Sequence, residues 1–171
     1  MNILLRSFMA GLLALALSGC ILQSRAPLFG DGDAKMLLAD YINPVTYEMS
    51  GGAWVKSKDQ MTFMAEAGHY VATADKSSLA ISFVPISGSW WVVQAVESNK
   101  PAAYVLAEAK PGEIVFYPIA CKELKASGKY DANLEFVDSD CFVKPGSDIH
   151  GLLSQLIATP GEATTKLVAA P

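Results

Sequence analysis

The chain has 171 residues, 51% of them hydrophobic, and sets 13 Lys and Arg against 17 Asp and Glu for a net charge of −4. Charges this dispersed and weakly acidic argue against a nucleic-acid binder and against electrostatic docking on anionic lipid. The length suits one ordinary domain.

The first element in chain order is a processing signal. Arg6 and the amino terminus form a charged start, and residues 7–17 are mostly Ala, Leu, Gly, Phe and Met. As helix, that run reaches only ~16 Å at ~1.5 Å per residue. A bilayer core of ~30 Å needs about twenty residues. The run is too short to span and has the length of a signal-peptide apolar core. No later stretch is long and apolar enough to predict a transmembrane helix.

Leu17-Ser18-Gly19-Cys20 follows that run. It resembles the lipobox of bacterial lipoproteins, in which Leu, a small residue, and Gly or Ala precede Cys. The resemblance covers only the first twenty or so residues. It implies a diacylglycerol on the Cys20 thiol, cleavage before Cys20 and an acyl chain, of the palmitate kind, on the new amine. Stable anchoring takes two lipid signals, and a diacylglyceryl cysteine supplies both. The next residue is Ile21 rather than the Asp that resembles an inner-membrane retention signal in Gram-negative lipoproteins. That favours the periplasmic face of the outer membrane. The expected organisation is a signal peptide over 1–19, a lipidated tether over 20–30 and a single β-rich periplasmic domain over 31–171. Removing residues 1–19 leaves 152 residues and costs only Arg6 among the charges.

DGDAKMLLADYINP places Ala34, Leu37, Leu38, Tyr41 and Ile42 at helical spacing, which predicts a short N-terminal helix stopped by Asn43-Pro44. From Val45 the period changes. Apolar runs alternate with turn signals at Gly51-Gly52, Ala67-Gly68, Ser87-Gly88-Ser89, Asn99-Lys100-Pro101 and Lys110-Pro111-Gly112. Spacing of about ten residues predicts an antiparallel meander. The connections are too short for helical crossovers, so parallel pairs are not expected. KELKASGKYDAN reads as a long turn and LEFVDSDCFV as renewed strand. Ile149, Leu152, Leu153, Leu156 and Ile157 form an apolar stripe at helical period, capped by Ser147 or Asp148 and ended by Pro160-Gly161. ATTKLVAA predicts a final edge strand. The fold class is mainly β, a meander forming a sandwich or barrel, with a short N-terminal helix and one C-terminal amphipathic helix.

With Cys20 lipidated, Cys121 and Cys141 remain. In an oxidising compartment, a pair twenty positions apart reads best as a disulfide. Free thiols or a metal site are the alternatives, although two Cys and two distant His lack compact zinc spacing. No metal or other cofactor is expected beyond the covalent lipid. His69 and His150 have no evident catalytic partner, and no nucleophile elbow, metalloprotease or phosphate-loop motif occurs. Asp31, Asp33, Asp138 and Asp140 offer two carboxylates per cluster where calcium takes six to eight oxygens, so they read as turn and cap residues. On one strand, Trp90 and Trp91 must face opposite sides. Trp54, Trp90 and Trp91, with Gln94 on the Trp90 face, are the candidate binding residues.

These features point to a lipid-anchored, non-enzymatic envelope protein that works through protein contacts at the outer membrane. The alternative is a binding module for a small apolar or amphipathic ligand in a sheet or barrel cavity. An envelope hydrolase is the third reading, and it requires His69 or His150 to gain a carboxylate and a hydroxyl in space.

Overall fold

The computed structural model describes residues 21–40, 44–58, 62–66, 68–74 and 77–170. Cys20 and the expected signal peptide lie outside the described residues, as do Tyr41 and Ile42 of the first expected helix. The strands are β1 (Leu22–Ser24), β2 (Val45–Ser50), β3 (Ala53–Lys56), β4 (Phe63–Glu66), β5 (His69–Ala74), β6 (Ser77–Ser87), β7 (Trp90–Glu97), β8 (Ala102–Lys110), β9 (Glu113–Pro118), β10 (Leu134–Val137), β11 (Asp140–Val143) and β12 (Thr165–Val168). Two α-helices, α1 (Cys121–Ser127) and α2 (Ile149–Ala158), and a 3-10 turn at Leu37–Asp40 complete the described elements.

Nine strands run in the order β3-β2-β12-β9-β8-β7-β6-β5-β4, each antiparallel to its neighbours. Its two ends, β3 and β4, are consecutive in the chain. Laid flat, nine strands at ~4.8 Å spacing would separate those ends by ~38 Å. The connecting residues 57–62 reach roughly 25 Å at most. The sheet must therefore roll. Phe83 on β6 and Phe116 on β9 confirm the curvature, since their rings lie 6.5 Å apart across three strand positions.

Parity explains why the roll does not close into a barrel. Eight antiparallel steps leave β3 and β4 running in the same direction. Pairing them would need a parallel ladder with a crossover of a dozen or more residues. The six-residue connection is half that length.

The sheet has a core on each face. Inside the roll lie Tyr70, Ile81, Phe83, Val93, Val105, Ile114, Phe116 and Leu167. On the outer face, α1, α2, β1 and the β10–β11 hairpin cover Val92, Tyr104 and Leu106. Leu152, Leu153 and Leu156 are the buried face of α2, and Asp148 caps it by accepting from Gly151 N at 2.9 Å. The turns at 51–52, 88–89, 98–100 and 111–112 fall where the sequence places them, whereas the connection between β5 and β6 is not among the expected turns. Gly51 and Gly52 take φ of 58° and 81° between β2 and β3, the positive values a tight hairpin requires.

Four local expectations are corrected. The first helix is only a 3-10 turn, because Leu38 N–H is committed to the Tyr70 hydroxyl at 2.7 Å and Lys35 N–H to Phe83 O at 2.8 Å. The polar stretch after Cys121 begins with α1, closed by Gly128 at φ 62°. The last strand is not an edge. β12 lies between β2 and β9, with Thr165 and Leu167 buried and Lys166 and Val168 turned outward. Finally, the described strands include one parallel pair, β1 with β11. It needs no crossover helix, because most of the domain separates the two strands in sequence.

Candidate functional site: the N-terminal junction

Residues 21–30, expected as a free tether, enter the fold at once. Ile21, Leu22, Gln23 and Ser24 are 1%, 0%, 7% and 2% exposed. Apolar side chains at 21 and 22 point to opposite faces of a strand. Accordingly Ile21 joins the inner core and Leu22 the outer one.

A fork in the sheet makes room for this strand. Ala102 and Ala103 of β8 pair with Ser24 and Gln23, while Val105 to Lys110 pair with β9. On its other side β1 pairs with β11, Leu22 opposite Cys141. Ile21 bridges Ala120, and Leu22 N–H donates to Ile119 O at 3.0 Å. The Cys121–Cys141 disulfide, Cα–Cα 5.4 Å, therefore joins the two segments that flank the start of β1. It ties the first residue of α1 to β11.

A buried polar clasp holds the chain just beyond β1. Gln94 Oε1 accepts from Leu28 N–H at 2.9 Å and Phe29 N–H at 3.1 Å. Its Nε2 donates to Phe29 O at 2.9 Å. Tyr104, directly across from Gln94 on β8, places its hydroxyl 2.6 Å from Ser24 Oγ and 3.1 Å from Gln94 Oε1. The same hydroxyl accepts from Leu28 N–H at 3.0 Å, and Ser24 Oγ donates to Ala26 O. Burial raises the Tyr104 pKa above its usual value, opposed by the bonds from Ser24 and Leu28. Phe29 completes the clasp, its ring edge-on to Tyr104 at 6.3 Å and to His150 at 5.9 Å. Outside it, Arg25 pairs with Glu135 at 2.8 Å and lies over the Phe142 ring.

The other candidates fall elsewhere. Trp90 and Trp91 do face opposite sides, each half-buried, Trp90 against Tyr117 at 5.2 Å and Trp91 against the inner core. Trp54 is half-buried on β3 and lies under Lys166 Nζ at 5.2 Å, which also pairs with Glu113 at 3.1 Å. Trp91 thus faces the inside of the roll, while Trp90 and Trp54 lie on its outer face, on β7 and β3. Gln94 joins none of them, because its amide is engaged by the chain's own backbone. His69 contacts Glu66 at 3.4 Å in the β4–β5 hairpin. Asp33 accepts from Gly30 N–H in a turn, and Asp138 takes φ 53° between β10 and β11. Among the described residues, no group of three or more His, Cys, Asp or Glu is placed to hold a metal.

Sequence reasoning picked out Gln94 but missed Tyr104, Ser24 and Phe29. One signal was available: a hairpin turning at Asn99 places 94 opposite 104. A cleft between α1 and the end of α2, lined by Leu106, Ile119, Ala120, Glu123, Leu156 and Gly161, holds about 40 Å³. Ligand sites run to several hundred Å³. Comparison with protein-family models, curated proteins and solved structures finds no match.

Proposed function

We propose that this chain is a lipid-anchored protein of the bacterial cell envelope, attached through Cys20 at the periplasmic face of the outer membrane, where it serves a structural or protein-binding role without catalysis. The observation that carries the reading is the adjacency of two features. The Leu17-Ser18-Gly19-Cys20 motif ends where a buried strand begins, with Ile21 already 1% exposed. Cleavage before Cys20 would remove the apolar leader and leave the folded body intact.

The non-catalytic part draws support from how the buried polar groups are used. Gln94, Tyr104 and Ser24 bind the chain's own backbone and one another. Aromatic rings line the inner face of the roll, where Tyr70 stacks edge-on with Phe63 and Phe83. These arrangements suit a rigid body that presents surfaces.

Expression in a Gram-negative host with membrane fractionation tests the proposal. The wild-type chain should sediment with outer membranes and incorporate labelled palmitate. A Cys20→Ser variant should incorporate none and should not sediment as the mature form. Palmitate incorporation unchanged by Cys20→Ser would overturn it.

A further inference from the structure

We propose that the lipidated domain lies directly on the bilayer, with α1 against the phospholipid headgroups, because its anchor has no slack. This rests on the lipoprotein reading above. A free tether over residues 21–30 would allow a stand-off of up to ~35 Å at ~3.5 Å per residue. The fold consumes that length. Ile21 is 1% exposed and Leu22 0%, so the lipid-bearing residue precedes the buried strand by a single peptide unit. That unit spans ~3.8 Å between Cα atoms.

The elements beside Ile21 then determine which surface meets the membrane. Ile21 bridges Ala120, the residue before α1. Next to it, α1 and the residue after its Gly128 cap present Lys122, Lys125 and Lys129, all exposed, with Glu123 the acidic residue in its first turn. The lysines of α1 thus form a basic strip on one side of the attachment point, while Asp138 and Asp140 of the β10–β11 hairpin lie on the other, where Cys141 stands opposite Leu22. Anionic headgroups attract such lysines within about a Debye length, ~8 Å at physiological salt.

The roll supplies an internal control. Counting around the sheet, β8, which pairs with β1, lies four strands from β3 in one direction and four from β4 in the other. Exposed Lys56 on β3 is therefore on the side away from the anchor.

Lysine footprinting tests the inference. The lipidated protein is reconstituted on the outside of phosphatidylethanolamine–phosphatidylglycerol vesicles and treated with a membrane-impermeant amine reagent. Labelling is read residue by residue against a soluble Cys20→Ser variant lacking the signal peptide. Lys122, Lys125 and Lys129 should be protected several-fold and Lys56 unchanged. A ten-residue Gly-Ser spacer between Cys20 and Ile21 adds a mean span of ~17 Å and should abolish the protection. Equal labelling at all four lysines, or protection that survives the spacer, would overturn the inference. Intact mass of the same sample separates the two readings. An acylated protein with no protection defeats only the seated geometry, whereas an unacylated one defeats the lipoprotein reading itself.

Discussion

Replacing Gln94 with Leu removes its hold on Leu28 and Phe29 while keeping side-chain volume nearly constant. Four hydrogen bonds are lost, but they do not cost equally. Leu28 N–H retains the Tyr104 hydroxyl at 3.0 Å, and the Tyr104 hydroxyl retains Ser24 Oγ at 2.6 Å. Phe29 N–H and Phe29 O lose the partner the clasp gave them, in a residue only 6% exposed. Each orphaned buried group costs about 1–3 kcal/mol. The segment has an escape, since it can lift off and hydrate both groups by exposing the Phe29 ring. Exposing a buried Phe costs about 2–3 kcal/mol. The loss should therefore settle at about 2–3 kcal/mol, and the 25–29 segment should open locally. Urea unfolding measures the first effect, and amide hydrogen exchange at Leu28 and Phe29 measures the second. A stability loss below ~0.5 kcal/mol with unchanged exchange would refute the view of Gln94 as a structural clasp.

Leu22→Ala tests the integration of β1. A fully buried Leu truncated to Ala should cost about 2–5 kcal/mol, whereas the same change in a free tether would be neutral by thermal unfolding. The Cys121→Ala/Cys141→Ala double variant should lose about 3 kcal/mol in the chain-entropy account, and exchange at Leu22 N–H should rise because the bridge flanks β1. Alkaline stability should fall in a defined window. Burial raises the pKa values of Tyr104 and Tyr70 above the usual phenol value of about 10. The unfolded chain then releases those protons first, so this stabilisation is complete below about pH 10 and declines as pH climbs through the folded-state values. Phenolate absorbance should lag behind that of the six-tyrosine unfolded chain, and stability independent of pH above that point would contradict the assignment.

Much of the architecture was readable from period and punctuation. The hairpin turns, α2 and the cysteine pair occupy local patterns, and a local pattern suffices where neighbours in sequence are neighbours in space. What escaped was non-local. Residues 21–24 resemble a tether because their partners, Ala103, Ala120 and Cys141, lie some 80 to 120 positions downstream. β12 resembles an edge because Lys166 interrupts it, yet that lysine sits over Tyr47 and Trp54 on the outer face. The helical character of α1 was masked by its polar surface, since only Cys121 and Leu124 are buried in it. The open seam follows from strand parity, and parity became countable only once β12 was placed between β2 and β9.

The central claim is that the mature chain begins at a lipidated Cys20 seated on the folded body. Intact mass spectrometry of the protein extracted from membranes of a Gram-negative host tests it most directly. The mature protein should start at Cys20 and carry diacylglycerol and an amide-linked acyl chain, with the Cys121–Cys141 bridge intact. A chain with residues 1–19 retained and a free thiol at Cys20, or one cut at another position, would contradict it.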